Sequence, residues 1–212
     1  MFNVLTGLYP PSAGTVRFDG HDIHGQAAHE IVMRGIARTF QNTEVFRRLS
    51  ARDNVLVGLH SRLRGGVVGG AIARPAVRRE EREARRRADH LLADLDLTDV
   101  ADVPAGSLPL GLQKRLELAR ALAAEPRLLL LDEPAGGLNP TETRALMDLI
   151  VRLRAEERLT IVVVEHDMEL VMGIADRVAV LHYGRKIADG KPRDVAVDPA
   201  VVEAYLGTED DA

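Results

Sequence analysis

Arg127-Leu128-Leu129-Leu130-Leu131-Asp132-Glu133-Pro134 is the stretch that decides the fold. Four apolar residues in a row, with no polar alternation, describe a strand buried on both faces, as in parallel sheets covered by helices. Two carboxylates close it. In an open parallel sheet the ligand crevice lies beyond the carboxyl ends of the strands, so Asp132 and Glu133 stand where a phosphate and its Mg²⁺ would be held. Taken alone, the run also fits a strand capped by two solvated acids. A second apolar strand, Thr160-Ile161-Val162-Val163-Val164, runs into Glu165-His166-Asp167, and so two strand ends carry titratable side chains.

The segments on either side continue the pattern. Asn139-Pro140-Thr141-Glu142 is a helix start, with Asn139 as the cap, Pro140 at the first position and Glu142 reaching back. Leu146, Leu149, Ile150 and Leu153 then fall on one helical face, and the helix returns the chain to Thr160. A further helix from about Met168 to Ala175 leads to Val178-Ala179-Val180-Leu181. Strand, helix, strand, helix, strand predicts a parallel sheet with crossover connections. Upstream, Phe2 to Leu8 reads as a helix stopped at Gly7. Thr15 to Phe18, Asp19-Gly20 and the residues around Ile23 read as a hairpin, and Ile36 to Phe40 as a strand ending at Gln41. From about Ser50 to Leu122 the pattern is helical, apart from the glycine-rich loop Gly65 to Gly70, and this is the expected inserted subdomain. Within it Arg78 to Arg87 places Glu81 with Arg85 and Glu83 with Arg87 at i,i+4 spacing, which predicts an exposed helix face. Gly184 to Gly190 adds a small hairpin element, and the tail from Lys191 ends in the acidic, frayed run Thr208 to Ala212.

Composition bounds the function. The 212 residues, 46% of them hydrophobic, suffice for one substantial core. A net charge of -4 supplies no basic surface for a nucleic-acid partner. There is no cysteine, which rules out disulfides and thiolate metal sites. No stretch approaches the roughly eighteen uncharged apolar residues of a membrane span, and Met1 to Gly7 lacks the basic region of a secretory signal. A soluble or peripheral cytoplasmic protein is expected.

The ordered motifs together carry a resemblance. A Gln after a strand, a Gly-containing turn opening a helix in Leu108-Pro109-Leu110-Gly111-Leu112-Gln113, the run Leu128 to Pro134, Gly136-Gly137-Leu138-Asn139-Pro140 and Val162-Val163-Val164-Glu165-His166-Asp167-Met168 resemble the nucleotide-binding subunit of an ATP-binding cassette transporter. Arg38 to Phe46, Glu165 to Gly190 and the closing Val201 to Gly207 are similar to the importers of branched-chain amino acids, with urea and related amide systems close behind. The resemblance covers the whole chain. It implies an α/β P-loop NTPase core with a mostly parallel sheet and a helical subdomain inserted near residues 50 to 122. It also implies ATP and Mg²⁺ as ligands, a second ATPase subunit and transmembrane permease subunits as partners, a solute-binding protein acting indirectly, and a peripheral place on the cytoplasmic side of the membrane. By the same resemblance Gln41 matches the glutamine that touches Mg²⁺ and the attacking water, and Asp132 the aspartate that holds Mg²⁺. Glu133 matches the carboxylate that orients or deprotonates the water, and His166 the histidine that contacts the γ-phosphate. Gly111 and Asn139 match positions that serve the nucleotide of the partner subunit, and Phe46 is a candidate permease contact.

Two departures accompany it. The family's signature pattern LSGGQ is here Leu108-Pro109-Leu110-Gly111-Leu112, which lacks the serine hydroxyl but keeps Gly111, placed at the start of a helix Gln113 to Ala123 whose N-H groups face an anion. Nowhere is there a G-x-x-x-x-G-K-[ST] loop, and Lys114, Lys186 and Lys191 are the only lysines. In the family that loop precedes a helix much like Phe2 to Gly7. The chain is therefore expected to begin just past it, without the N-terminal strands and P-loop, leaving a gap in the sheet and weak binding of MgATP. An ATPase subunit whose loop lies upstream, a non-catalytic partner that assists another subunit's site, and an inactive fragment are the three readings that follow. A lipopolysaccharide-export ATPase is the nearest rival within the family. Chromosome-maintenance ATPases need long insertions that this chain lacks.

Overall fold

The computed structural model describes residues 1–40, 44–60, 75–157 and 159–206, which fall into two compact units, Met1–Val164 and Glu165–Ala212. The first unit holds the parallel sheet. Its strands β3 (Ile36–Arg38), β4 (Leu128–Asp132) and β5 (Thr160–Val164) follow the short elements α1 (Phe2–Leu5), β1 (Arg17–Phe18), β2 (His21–Asp22) and α2 (Ala28–Met33). The sheet order is β3-β4-β5, with Ile36 opposite Leu128 and Asp132 opposite Val164. Leu129, Leu130 and Leu131 are fully buried on the central strand, as an unbroken apolar run requires. β1 and β2 form an antiparallel hairpin around Asp19 (φ 51°) and Gly20 (φ 75°), the two positive φ angles that an Asp-Gly hairpin turn supplies. α6 (Pro140–Glu157) buries Leu146, Leu149, Ile150 and Leu153, the stripe expected from their spacing.

Between β3 and β4 lie α3 (Ala51–Leu59), α4 (Pro75–Asp94) and α5 (Leu110–Leu122), with 3-10 turns at Thr98–Val100 and Ala105–Ser107 between α4 and α5. Ser50 caps α3, its hydroxyl accepting the Asp53 N-H at 3.0 Å. Ala84, Ala88 and Leu92 make the buried stripe of α4, and Leu95 just past its end is buried with them. On its outer face Glu83 pairs with Arg86 at 2.7 Å and with Arg87 at 3.9 Å, whereas the anticipated Glu81–Arg85 pair does not form. Glu83 instead gathers two arginines one turn on. The glycine-rich run Gly65 to Gly70 lies outside the described residues. α5 begins three residues before the anticipated Gln113, because Pro109, with φ -54° and no N-H to lose, initiates the helix at Leu110.

The second unit corrects the expected sheet. β6 (Val178–His182) does not extend the parallel sheet; it pairs antiparallel with β7 (Arg185–Gly190) through a turn at Tyr183 and Gly184, both at positive φ. Strand-like periodicity specifies a half-buried strand but not its partner, and the two-residue loop makes the antiparallel neighbour the nearest one. The tail from Lys191 is likewise ordered into α8 (Pro192–Val195) and α9 (Pro199–Leu206), and Val195 and Val201 close a small core with Val178 and Ala188. The acidic end, residues 207–212, lies outside the described residues. α7 (Met168–Ile174) opens this unit, capped by Asp167, whose carboxylate accepts the Leu170 N-H at 3.1 Å. Among the described residues no helix is long and apolar enough to cross a membrane.

Candidate functional site

β4 delivers Asp132 and Glu133 to the end of the parallel sheet. Glu133 stands at φ 45°, in the left-handed region that an L-residue enters at a cost of about 1–2 kcal/mol. Its N-H donates to the Val164 carbonyl at 2.9 Å, and its own carbonyl accepts the Gly136 N-H at 3.0 Å. The backbone is thus turned off the strand at the acid itself, and such strain gathers where a side chain must be aimed.

Asp132 is held by a cation that the sequence alone did not reveal. Arg38, the last residue of β3, places Nη2 2.7 Å from Asp132 Oδ2 and Nη1 2.5 Å from Asn3 Oδ1. Its guanidinium lies over the rings of Phe2 and Phe40, 5.5 and 5.0 Å from their centroids. Arg38 Nε is buried and, among the described residues, has no acceptor, a cost of about 1–3 kcal/mol for a buried donor. Asp132 N-H faces Thr39 Oγ1 at 3.4 Å. Arg38 is 94 residues from Asp132 in sequence, and only strand pairing brings the two together.

Gln41 lies outside the described residues. Phe40, which precedes it, donates its N-H to Glu117 of α5 at 2.9 Å, and the Glu44 N-H donates to the same carboxylate. Glu117 is 2% exposed, and burial pushes its carboxyl up from the usual range, opposed by those two N-H groups and by Lys114 and Arg120. Lys114, Glu117 and Leu118 share the core face of α5, so charges at apolar helix positions were the available sequence signal for this contact. On the far side of the loop Asn54 is fully buried and grips Phe46 through both its N-H, at 2.8 Å, and its carbonyl, at 3.1 Å. Phe46 stays 48% exposed, with the Arg120 guanidinium carbon 5.4 Å from its ring centroid.

Gly111 and Asn139 come together. Asn139 Oδ1 accepts the Thr141 and Glu142 N-H groups at 3.0 Å each, and Glu142 Oε2 accepts the Asn139 N-H at 3.0 Å, a complete capping box. The other oxygen, Oε1, lies 3.0 Å from where a Cβ on Gly111 would stand, while one on Gly137 (φ 80°) would meet Leu110 at 3.0 Å. The α5 and α6 N-termini therefore pack side by side, and a side chain at Gly111 would displace the capping carboxylate. His166 belongs to the second unit, where its ring is 79% exposed and Nδ1 lies 3.9 Å from Glu165 Oε2. Its carbonyl faces the Tyr205 hydroxyl at 3.5 Å.

Among the described residues there is no group of three or more His, Cys, Asp or Glu side chains that could cage a metal. Mg²⁺ does not need one, since it is held by one or two carboxylates together with phosphate oxygens and water. Asp132 fits that sparse donor set: its side chain is 20% exposed, and among the described residues Arg38 holds Oδ2 while Oδ1 accepts no hydrogen bond.

Residues 1–136 match the model of the family described as ABC transporter. The chain belongs to the ABC transporter family. Residues 185–211 match a second model, described as branched-chain amino acid ATP-binding cassette transporter. The chain is 46% identical to the high-affinity branched-chain amino acid transport ATP-binding protein BraF of Pseudomonas aeruginosa, over 98% of this chain and 81% of that protein. It is 42% identical to LivG of Escherichia coli (strain K12), with the same coverage. The lipopolysaccharide export system ATP-binding protein LptB of Acidithiobacillus ferridurans is more distant, at 33% over 98% of this chain and 80% of that protein. Among solved structures, the ATP-binding cassette MJ1267 superimposes with a TM-score of 0.82 at 29% identity, covering 97% of this chain and 82% of that one. Its ADP conformation matches at 0.80, with 28% identity over 98% and 82%. The cassette MJ0796, dimeric in a post-hydrolysis state with ADP and Pi, matches at 0.73, with 28% identity over 90% and 78%. The fold is thus that of an ABC ATPase cassette, a P-loop NTPase fold with a parallel sheet.

Proposed function

We propose that this chain is the ATP-binding and ATP-hydrolysing subunit of an importer for branched-chain amino acids. The observation that carries this reading is the 46% identity to BraF over 98% of the chain. The match of residues 185–211 to the branched-chain amino acid model supports it, and the weaker likeness to LptB argues against lipopolysaccharide export. Two such subunits, alike or related, close on ATP at the cytoplasmic face of the membrane and push on permease subunits, to which a solute-binding protein delivers the amino acid. Phe46, half-exposed and backed by Arg120, suits the permease contact.

Asp132 and Gln41 would hold Mg²⁺ beside the phosphates. Mg²⁺, when bound, draws charge from the β- and γ-phosphate oxygens. Glu133 orients the attacking water and accepts its proton, and the left-handed backbone at this residue aims the carboxylate. His166, exposed on its own unit, reaches the γ-phosphate. Gly111 and Asn139, joined through Glu142, serve the nucleotide bound by the partner. With Pro109 where the family has a serine hydroxyl, that contact is weaker.

Glu133→Gln introduced at the native chromosomal locus tests the reading, because it keeps the shape of the side chain and removes the base. Uptake of labelled leucine should fall about 100-fold or more, the scale of a lost general base. Unchanged uptake of leucine, isoleucine and valine would refute the proposal, and a selective loss of lipopolysaccharide at the cell surface would transfer it to export.

A further inference from the structure

We infer that Arg38 is a positioning residue for Asp132: it holds one carboxylate oxygen so that the other is presented to a divalent cation. The inference rests on the reading of Asp132 as a metal ligand. Four observations carry it. The Arg38 guanidinium, 10% exposed, bonds Asp132 Oδ2 at 2.7 Å, while Oδ1 accepts no hydrogen bond among the described residues. The second arm of the fork is tied to Asn3 of α1 at 2.5 Å, so the cation cannot follow Asp132 if the carboxylate turns. The guanidinium lies over the rings of both Phe2 and Phe40, and contact with two aromatic faces restricts its movement. The buried Nε goes without an acceptor, so this geometry is kept at the expense of a hydrogen bond.

A cation buried only for stability is poorly explained here, because a well-packed apolar side chain at the last position of β3 would serve as well. An oriented carboxylate is what such a contact provides. A lone Asp at a strand tip has free χ1 and χ2, and the groups that bond to metal-ligating carboxylates commonly govern metal affinity by 10- to 100-fold. Repulsion between Arg38 and a metal on the other oxygen works in the opposite direction. The aromatic faces disperse part of the guanidinium charge, and with the fork pinned at both arms orientation outweighs repulsion.

The test uses Mn²⁺, whose free form is counted by electron paramagnetic resonance, titrated into the purified chain with ATP present and corrected by the same titration of ATP without protein. Wild type, Arg38→Met, Arg38→Lys and Asp132→Asn are compared, and circular dichroism establishes that each is folded. Arg38→Met should weaken Mn²⁺ binding about 10-fold or more. Arg38→Lys, which keeps the charge but cannot hold Asp132 and Asn3 together, should fall between the two, and it decides the matter alone if Arg38→Met does not fold. Binding that is lost in Asp132→Asn but equal or tighter in either Arg38 variant would overturn the inference and make Arg38 a competitor of the metal. Binding that does not depend on Asp132 at all would overturn the metal-ligand reading itself, and this inference with it.

Discussion

Gly58 is where α3 crosses α5, and replacing it with alanine should destabilise the chain although alanine is the better helix former. A Cβ on Gly58 would stand 2.4 Å from the Arg120 carbonyl oxygen and 2.9 Å from Ala123 Cβ. Neither obstacle is the end of a flexible side chain, so the helices themselves must part, by about 1 Å for ordinary contact to be restored. Alanine in a helix interior gains about 1 kcal/mol over glycine. Overpacking of this kind costs about 1–3 kcal/mol, and a clash against backbone belongs at the upper end, leaving a net loss of about 2 kcal/mol. Guanidinium unfolding followed by circular dichroism should show a lower midpoint with an unchanged slope. Because the two helices carry Asn54 and Glu117, hydrogen exchange at the Phe40 and Phe46 amides should quicken as well. A midpoint equal to or above that of wild type would refute the reasoning, since the propensity gain would then stand unopposed and the crossing could not be as tight as described.

Two further outcomes follow from local contacts. Asn139→Ala removes the acceptor for two N-H groups at the start of α6 and should cost about 1 kcal/mol, read as a lowered unfolding midpoint; Asn139→Asp, which can still cap, should recover most of it. Arg177 and Lys186 hold the Asp189 carboxyl down at about 2, below its ordinary 3.8. A depressed acid stabilises the fold above its unfolded pKa and loses that contribution as pH falls through the folded one. The β6–β7 hairpin should therefore weaken between about pH 4 and pH 2, and Asp189→Asn should flatten this acid limb in a pH titration monitored by circular dichroism.

Most of the site's scaffold was legible because its determinants are local. The run Leu128 to Asp132 declares a buried strand by composition, and Asn139-Pro140-Thr141-Glu142 declares a helix start by chemistry confined to four residues. What stayed hidden depends on pairing across distance. Val178 to Leu181 is plainly a strand, but nothing in its alternation distinguishes a place beside β5 from the antiparallel partner it takes in β7. The Arg38–Asp132 contact exists only because β3 and β4 lie in parallel register, and an arginine at a strand end reads as solvated until that register is known. Glu117 left a trace, a carboxylate on the apolar face of a helix, but its partners sit in a loop that periodicity does not describe. The early start of α5 turned on Pro109, which serves as readily before a helix as in a loop.

The edge of β5 bears on how concentrated the chain can become in solution. Among the described residues Thr160–Val164 has a strand partner only in β4, and Ile161 to Val164 remain half-buried, with no charge or proline among them. Such an edge is a template that any extended segment can complete. Completion from within the same molecule proceeds at a rate per chain independent of how many free copies surround it, whereas edge-to-edge sticking between copies grows with the square of their number. The uncovered edge of one short strand therefore sets a ceiling on the concentration at which the chain stays unaggregated.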